Sequence, residues 1–476
     1  MRRAILLLVD GLRPDVAERE LAAGALPHLA ALVAGGSVRR AVTAFPSTTS
    51  VSYLPFLTGC LPGRCNVPSI RWLDRREYRG RWWKDRAAVR SYCGYQAGML
   101  DGDIAPEVAT IFELVPESAA FFTMITRGLV AERDPAQRAR QFWGAVSHYV
   151  LWHQPGDDTV RRHLLEWIDR DPAWRFLFAQ FPAVDGYTHQ ADPDHPKVHR
   201  ALRKVDATVG ALRAKLRHLG LERDTLIVLV SDHGATRVHR HLDLAQWFRG
   251  RGVATLSHPE LWRRRPEVAV MVAGNGSALI YAQPDRPRAG RWPLSRLRQP
   301  GALGSPGDLV AELAREAGVA FLVGEAEGGG WTIADRAGEA TLSAAGDTLH
   351  YRPQSSDPLG LGGPVSGSRD HWLAHTFDSS YPDAATQIAD QFTSPRTGDL
   401  LVVAREGFDF RDRWEIPEHK SGHGSMISGH MQTPVWSNRH GAPAHLRTAD
   451  LFVAILDWLG VPPPAGIDGR PVWSPA

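Results

Sequence analysis

Short, continuous apolar runs alternate along the chain with segments whose apolar residues recur every three to four positions. A short apolar run that ends in a turn is typical of a strand buried on both faces of a parallel sheet. The runs of this kind are residues 4–9, 175–180 and 225–230, and residues 38–43 are a further predicted strand. The helical spacing, which gives a helix one apolar face, occurs at residues 26–34, 197–219 and 448–459. The pattern therefore predicts an α/β fold with a doubly wound, mostly parallel sheet.

Acidic residues and histidines follow the ends of these predicted strands. Asp10 directly follows the first run, and Asp185 comes shortly after the run at 175–180. The pair Asp232-His233 comes shortly after the run at 225–230. In an open α/β sheet, ligands bind outside the carboxyl ends of the strands. We therefore expect the functional site at that edge of the sheet.

The middle of the chain has a different composition. It carries Arg/Trp-rich stretches, a Pro-rich link at 284–306 and a Gly-rich, hairpin-like piece around 325–351. We interpret residues 237–394 as an inserted cap or accessory region of mixed α+β type. Leu400–Ala404 then predicts the return to a core strand. The predicted division is a catalytic core from residues 1–236 and 395–476, separated by the insertion.

Composition excludes several classes of protein. Apolar residues make up 43% and charged residues 22% of the 476 residues, as in ordinary globular proteins. The net charge of +3 is too small to indicate a nucleic acid polymer as partner. Cys60, Cys65 and Cys93 form no even disulfide framework, which favours a reducing compartment. The N-terminal apolar run is shorter than the roughly 7–15 residues of a signal peptide core, so we expect a cytoplasmic location.

Two of the polar fragments have the spacing of metal ligands. Asp185 and His189 are four residues apart, so on one helical turn they face the same way and can share a cation. Adjacent Asp232 and His233 can both reach one ion from a strand-end turn, and such ligands suit Zn²⁺ or Mn²⁺. His423 lies between two glycines, which let its ring approach a metal closely. Taken singly, each fragment is equally typical of a surface pair or a turn.

Several longer motifs resemble the type I phosphodiesterase/nucleotide pyrophosphatase branch of the alkaline phosphatase superfamily. They are V-D-G-L near the start, F-P-S-T-T-S-V-S-Y-L-P-F-L-T-G-C-L-P-G-R, V-D-G-Y-T-H, S-D-H-G, H-G-S-M and the tail D-W-L-G-V-P-P-P-A-G-I-D-G-R-P-V. The resemblance covers roughly residues 1–236 and 395–476. It implies an alkaline-phosphatase-like fold and two divalent metal ions, with zinc as the expected ion and manganese as the alternative.

The resemblance also implies how the ligands divide between the two ions. One ion would be held by Asp185, His189 and His423. The other would be held by Asp10, Asp232, His233 and the oxygen of the nucleophile.

The nucleophile of this branch is a Thr placed three residues after a Pro and nine before the Thr of a Thr-Gly turn. Pro46 and Thr58 both indicate Thr49, and Thr48 is the alternative. A Thr hydroxyl is a poor nucleophile until coordination to a divalent cation lowers its pKa. The resemblance thus implies hydrolysis of phosphodiester or pyrophosphate bonds through a phospho-threonine intermediate.

The chain departs from the branch in the region that binds the substrate phosphate. The branch usually has His-Gly where this chain has Cys65-Asn66, and an Asn where Ile70 stands. Arg71 is a candidate for a bidentate phosphate contact, and Asn66 is the other candidate. An ordinary surface role for Arg71 is the alternative. The expected substrate is a small phosphate ester of the nucleotide or lipid-headgroup class.

Other functions remain open at this stage. The same site would serve a phosphotransferase that moves a headgroup phosphate to an alcohol, a phosphomonoesterase or, more distantly, an inactive binding module. Cys60-Leu61-Pro62-Gly63-Arg64 fits the C-x-P-x-R motif of sulfatases, but it follows the Thr-Gly turn, whereas the sulfatase Cys precedes it. The Trp/Arg stretches 71–86 and 262–266 are either a rim for a lipid headgroup, a nucleobase or an anionic membrane surface, or a solvated face, which is the favoured interpretation, so membrane contact is not favoured.

Overall fold

Two large β-sheets organise the chain in a computed structural model that describes residues 1–259, 265–286, 290–411 and 415–472. The strands are β1 Arg3–Val9, β2 Ser37–Val42, β3 Arg71–Leu73, β4 Val89–Ser91, β5 Ser118–Phe121, β6 Phe176–Phe181, β7 Thr225–Val230, β8 Thr236–Arg237, β9 Arg240–His241, β10 Thr255–Ser257, β11 Val268–Ala273, β12 Ser277–Ala282, β13 Val319–Glu325, β14 Trp331–Ala334, β15 Glu339–Ala345, β16 Thr348–Pro353, β17 Val365–Ser368, β18 Leu400–Ala404, β19 Phe408–Asp409, β20 Ser421–Gly422 and β21 Gln432–Ser437.

Helices fill the connections between these strands. They are α1 Pro14–Ala22, α2 Pro27–Val33, α3 Leu54–Thr58, α4 Leu100–Asp103, α5 Ile111–Leu114, α6 Gln137–Val150, α7 Gln154–Arg170, α8 Ala183–Gln190, α9 Pro196–His218, α10 Leu244–Arg249, α11 Leu294–Leu297, α12 Leu309–Ala314, α13 Arg369–Thr376, α14 Ala384–Gln391, α15 Ser428–Met431 and α16 Thr448–Leu459. None of the helices in the described ranges combines the length and the apolar character that crossing a bilayer requires.

The first sheet has the strand order β2-β21-β7-β1-β6-β5. The strands β7, β1, β6 and β5 pair in parallel, and β21 is antiparallel to both of its neighbours. The sheet is therefore mostly parallel, as the apolar runs predict.

Both faces of this sheet are covered by helices. Successive side chains of a strand point to opposite faces, so Ile5 and Leu7 pack into one buried cluster that includes Leu202 of α9. Leu6 and Leu8 pack into a second cluster that includes Phe452 of α16. A strand that buries both faces needs apolar residues at every position, which explains the continuous run at 4–9. The predicted doubly wound α/β architecture is confirmed.

The second sheet contains most of the strands of the middle region. Its order is β10-β11-β12-β18-β13-β14-β15-β16-β17, and the Gly-rich piece forms the antiparallel meander from β13 to β16. Leu400–Ala404 is the predicted core strand, but it does not belong to the first sheet. This segment is a buried strand, but it pairs with β12 and β13 in the second sheet. The predicted limits of the insertion therefore do not coincide with a boundary between sheets, and the domain division itself stays a prediction.

Candidate metal centre

Parallel pairing brings three predicted site residues to one edge of the first sheet. Asp10 follows β1, and Asp232 lies two residues beyond β7, its parallel partner. The two turns are tied together because the backbone N–H of Gly11 donates to Oδ1 of Asp232 at 3.2 Å. Asp185 lies on α8, which begins two residues beyond β6, the other parallel neighbour of β1. The site therefore lies at the carboxyl edge, as predicted.

Asp10, Asp232 and His233 form one group of candidate ligands, whose ligand atoms lie within 4.8 Å of one another. Nε2 of His233 is 3.5 Å from Oδ1 of Asp10 and 3.4 Å from Oδ2 of Asp232. All three side chains are at most 4% exposed. Since carboxylate and imidazole donors converge at this distance, the group fits a divalent cation.

Asp185, His189 and His423 form a second group of the same kind. Oδ2 of Asp185 is 3.2 Å from Nε2 of His189, one helical turn away on α8. His423 comes from the Gly-flanked turn after β20, and its ring stacks on that of His233 with 3.8 Å between centroids. The two groups are therefore adjacent, which is the arrangement of a two-metal site.

Backbone carbonyls fix the orientation of all three imidazoles. His189 donates from Nδ1 to the carbonyl of Ser421 (2.8 Å). In the same way, Nδ1 of His233 donates to the carbonyl of Gly234 (3.1 Å), and Nδ1 of His423 donates to the carbonyl of Ser47 (3.0 Å). A carbonyl only accepts, so Nδ1 carries a proton in each ring and Nε2 is the nitrogen that is left available to the site. Hydrogen bonds of this type set the tautomer of metal-binding histidines.

The electrostatics of the site favour bound cations. Burial, together with the neighbouring Asp232 and Asp185, raises the pKa of Asp10 well above its ordinary value, and burial also raises the pKa of Asp232. Burial lowers the pKa of His423. Oδ1 of Asp185 and Oδ2 of Asp232 are buried without a hydrogen-bond partner in the described ranges. Cations would supply the missing partners and the missing positive charge.

Asp185 and His189 behave as an ion pair in which attraction exceeds desolvation. Burial alone would raise the pKa of Asp185, but the His189 imidazole lowers it below its ordinary value. Burial likewise lowers the pKa of His189, yet Asp185 raises it to about 9. The carboxylate is therefore held in the ionised form that a metal ligand needs.

Thr49 is the hydroxyl that lies beside the first group. Its Oγ1 is 3.1 Å from Nε2 of His233 and 3.4 Å from Oδ1 of Asp10. The hydroxyl of Thr48 is buried elsewhere without a partner in the described residues. Ser50, which follows Thr49, has a φ of 75°, a region that non-glycine residues rarely adopt and that is often found at functional sites.

A cavity of about 1000 Å³ opens over both groups of ligands. Thr49, Asp10, Asp185 and His189 line one end of it. The remaining walls come from the segment 92–101, from the helix α6 and from the loop 417–420. Cys60 is not among the lining residues, so the C-x-P-x-R motif does not present a cysteine where a sulfatase would need it.

Arg71 and Asn66 do not line this cavity. Ile70 does, and because the backbone at 71–73 is extended, the next side chain points away and donates to Ser91 at 3.4 Å. The side chain of Asn66 accepts from Ser394 at 2.9 Å. The arrangement therefore gives no support to the prediction that these two residues bind the substrate phosphate.

Arg140 of α6 is an arginine that does line the cavity. It lines the cavity together with Thr49, and its Nε has no hydrogen-bond partner among the described residues. Both carboxylate oxygens of nearby Asp134 are also buried without partners, so this acid does not hold the guanidinium. Burial lowers the pKa of Arg140. An anionic group of a substrate would compensate for that burial.

Two further side chains that position the site were not predicted. Nε2 of Gln180 donates to Oδ2 of Asp10 at 2.7 Å, and the hydroxyl of Tyr53 donates to the same oxygen at 3.5 Å. Both bonds orient the carboxylate. Gln180 could have been found from the sequence, because it is the one polar residue in the apolar strand β6.

Gly11 provides a direct test of this packing. It has a φ of +69°, and an added Cβ would lie 2.7 Å from both Cβ and Oδ1 of Asp185. We expect Gly11→Ala to displace Asp185, lower the affinity for the second ion and lower the Tm. The matched control is Gly24→Ala, which has the same kind of φ (+71°) but open space around it. Left-handed strain of about 1–2 kcal/mol is common to both variants, so equal metal affinity in the two would contradict the packing argument.

The fold is that of the alkaline phosphatase superfamily. Within it, the chain belongs to the type I phosphodiesterase/nucleotide pyrophosphatase family, whose family model matches residues 4–293.

Individual relatives either match only a short part of the chain or share a low sequence identity with it. The chain is 34% identical over 80 residues to the catalytic subunit of GPI ethanolamine phosphate transferase 3 of Mus musculus, which is 17% of this chain and 7% of that protein. Among solved structures, phosphonoacetate hydrolase from Sinorhizobium meliloti 1021 has a TM-score of 0.57 at 14% identity, with 96% of each chain covered. Human ectonucleotide pyrophosphatase/phosphodiesterase 5 has a TM-score of 0.58 at 13% identity, with 99% and 97% covered.

Proposed function

We propose that the protein hydrolyses phosphodiester or pyrophosphate bonds at a two-metal site, with Thr49 as the nucleophile. The observation that carries the proposal is the position of Oγ1 of Thr49, 3.1 Å from Nε2 of His233 and next to a cavity of substrate size. Zinc is the ion that we propose, with manganese as the alternative, because carboxylates and imidazoles are the donors. Bound divalent ions would lower the pKa of the Thr49 hydroxyl and stabilise charge on the phosphoryl oxygens.

The residues of the chain have separate tasks in this scheme. Gln180 and Tyr53 hold Asp10 in place, and Asp10 and His233 orient the Thr49 hydroxyl. Oγ1 of Thr49 attacks phosphorus, a P–O bond forms as the P–O bond to the leaving group breaks, and the phosphoryl group is carried on the threonine. Water then attacks phosphorus and releases Thr49 with the second product. Positioning and electrostatic stabilisation are the main contributions of proteins to such transfers.

Rates on matched aryl phosphates test the reaction class. The zinc-loaded protein is expected to hydrolyse an aryl phosphodiester faster than the matching monoester. A strong preference for the monoester would contradict the diester reading and favour the monoesterase alternative.

A phosphotransferase is the second candidate. The observation that favours it is the similarity to GPI ethanolamine phosphate transferase 3, which by its name transfers a phosphate-bearing headgroup. In a transferase, an alcohol replaces water as the group that attacks the phospho-threonine. Product analysis with and without added ethanolamine or glycerol separates the two activities. A transferred product at the expense of the hydrolysed one would support the transferase.

Arg140 is expected to bind an anionic group of the substrate. Charge-assisted hydrogen bonds are worth about 1.5–3 kcal/mol, so Arg140→Gln should lower kcat/KM by roughly 10- to 100-fold. The control is Arg138→Gln, because Arg138 is exposed on the same helix and is not among the residues that line the cavity. Equal kinetics of the two variants, with metal content unchanged in both, would remove Arg140 from the substrate site.

We also propose a cytoplasmic location. Cys60, Cys65 and Cys93 are all free thiols, which supports a reducing compartment. Fractionation of the native host, with activity followed in each fraction, tests this assignment.

A further inference from the structure

Exposed apolar side chains are concentrated at one place on the surface. Nine large apolar side chains are exposed among the described residues, and five of them lie between positions 142 and 152. These five are Phe142, Tyr149, Val150, Leu151 and Trp152. Ile416 on the neighbouring loop is 70% exposed, and Tyr149 is 73% exposed. Contiguous exposed apolar surface usually marks an interaction site, whereas single exposed residues do not. We call these six residues the aromatic rim.

The aromatic rim is continuous with the wall of the catalytic cavity. Trp143 lines the cavity and makes edge-on contacts with Phe142 at 5.0 Å and with Trp152 at 6.2 Å between centroids. Across the opening, Pro417, the residue after Ile416, lines the same cavity. An apolar partner on the rim would therefore lie directly beside the entrance to the metal centre.

The segment that carries most of the rim has basic but no acidic side chains. The segment 137–153 contains no Asp or Glu, and its charged side chains are Arg138 and Arg140. Lys420 adds a positive charge on the opposite side of the cavity, and the nearby Glu418 is paired with Arg411 at 3.1 Å. A helix with exposed aromatic residues and basic but no acidic side chains is typical of segments that lie in a membrane interface.

We propose that the aromatic rim docks on an anionic phospholipid surface and that the substrate is a phosphate ester of a lipid headgroup. The second part rests on the proposed function, because it places the headgroup of a docked lipid beside Thr49. Aromatic side chains suit the headgroup level, where one end of the ring is apolar and the other is hydrated. A second copy of the chain is a poorer occupant, since a two-fold contact through this face would bring the same basic residues together.

Vesicle binding tests the docking surface without turnover. Co-sedimentation uses vesicles of phosphatidylcholine with phosphatidylserine, and vesicles of phosphatidylcholine alone as the reference. The zinc-loaded wild type should bind the anionic vesicles more tightly, and added salt should weaken the binding because it screens surface charge. Absence of binding to both kinds of vesicle would overturn the proposal. A rim-dependent dimer in sedimentation velocity with no vesicle binding would also overturn it, with the second copy as the occupant.

A triple variant separates docking from chemistry. Phe142→Ser, Tyr149→Ser and Trp152→Ser remove three rim residues that do not line the cavity. We expect vesicle affinity to fall by about tenfold or more, because interfacial affinity depends on buried apolar area. Hydrolysis of a soluble aryl phosphodiester should change less than twofold. The control Leu219→Ser changes an apolar residue that is 41% exposed at the end of α9, and it should bind as the wild type does.

Activity on lipids completes the test. The triple variant should lose most of the activity on a phospholipid presented in anionic vesicles while it keeps the activity on the soluble diester. Equal loss on both substrates, or loss in Leu219→Ser as well, would overturn the docking role of the rim. If the wild type binds vesicles but hydrolyses no phosphoester, docking is supported and the proposed function is refuted. A failure of the docking proposal can therefore be distinguished from a failure of the proposed function.

Discussion

Replacement of Thr49 by Ala is expected to abolish turnover, with kcat lowered by several orders of magnitude, as is typical when a nucleophile is removed. The reason is geometric, because Oγ1 of Thr49 is the hydroxyl beside Asp10 and His233. The matched control is Thr48→Ala. The Thr48 hydroxyl has no partner in the described part of the chain, so its loss leaves no buried group unpaired. Thr48→Ala should therefore keep most of the activity.

The zinc content of the variants distinguishes the loss of the nucleophile from the loss of the metal site. Both threonine variants should bind about as much zinc as the wild type, since the remaining ligands of each ion are carboxylates and imidazoles. An inactive Thr48 variant beside an active Thr49 variant would contradict the assignment. So would a Thr49 variant that fails only because it no longer binds metal.

The second large effect is expected from the ligands themselves. Asp185→Asn and Asp232→Asn each remove one carboxylate from a different group. We expect each variant to hold about one zinc ion per chain instead of two and to lose activity by several orders of magnitude, because two-metal sites act as a unit. Elemental analysis measures the first effect. Addition of zinc should also raise the Tm of the wild type more than that of either variant, since an ion that binds the folded state stabilises it.

Asp194→Asn is the control for these substitutions. Asp194 lies in the loop after α8, and its carboxylate is 65% exposed and pairs with Arg19 at the surface. Surface pairs of this kind contribute little to stability, so metal content and activity should be unchanged. Full zinc content in Asp185→Asn or Asp232→Asn would contradict the division of the ligands into two groups.

Local sequence determines much of what could be predicted about the fold. The segments Thr225–Val230 and Thr448–Leu459 have the predicted bounds, because a continuous apolar run and a 3.6-residue period are local properties. The partner of a strand is not a local property. Leu400–Ala404 is as apolar as a strand of the first sheet, but its pairing with β12 and β13 depends on distant residues.

The residues of the candidate site also divide into those that local sequence predicts and those that it does not. The seven predicted metal-site residues lie together because their motifs place them at strand ends and turns of a fold that fixes those positions. Arg140 was missed because it is near Thr49 only through tertiary packing, since it lies 91 residues away on a helix without a motif. Arg71 does not line the cavity, because sequence proximity to Ile70 does not indicate which side of an extended segment reaches it.

Anomalous diffraction at the zinc edge tests the central claim most directly, on crystals of the protein purified with zinc. Two peaks per chain are expected, roughly 4 Å apart as in other two-metal sites, with Thr49 beside the peak held by Asp10, Asp232 and His233. The other peak should be held by Asp185, His189 and His423. A single peak, or peaks away from these six side chains, would contradict the two-metal site.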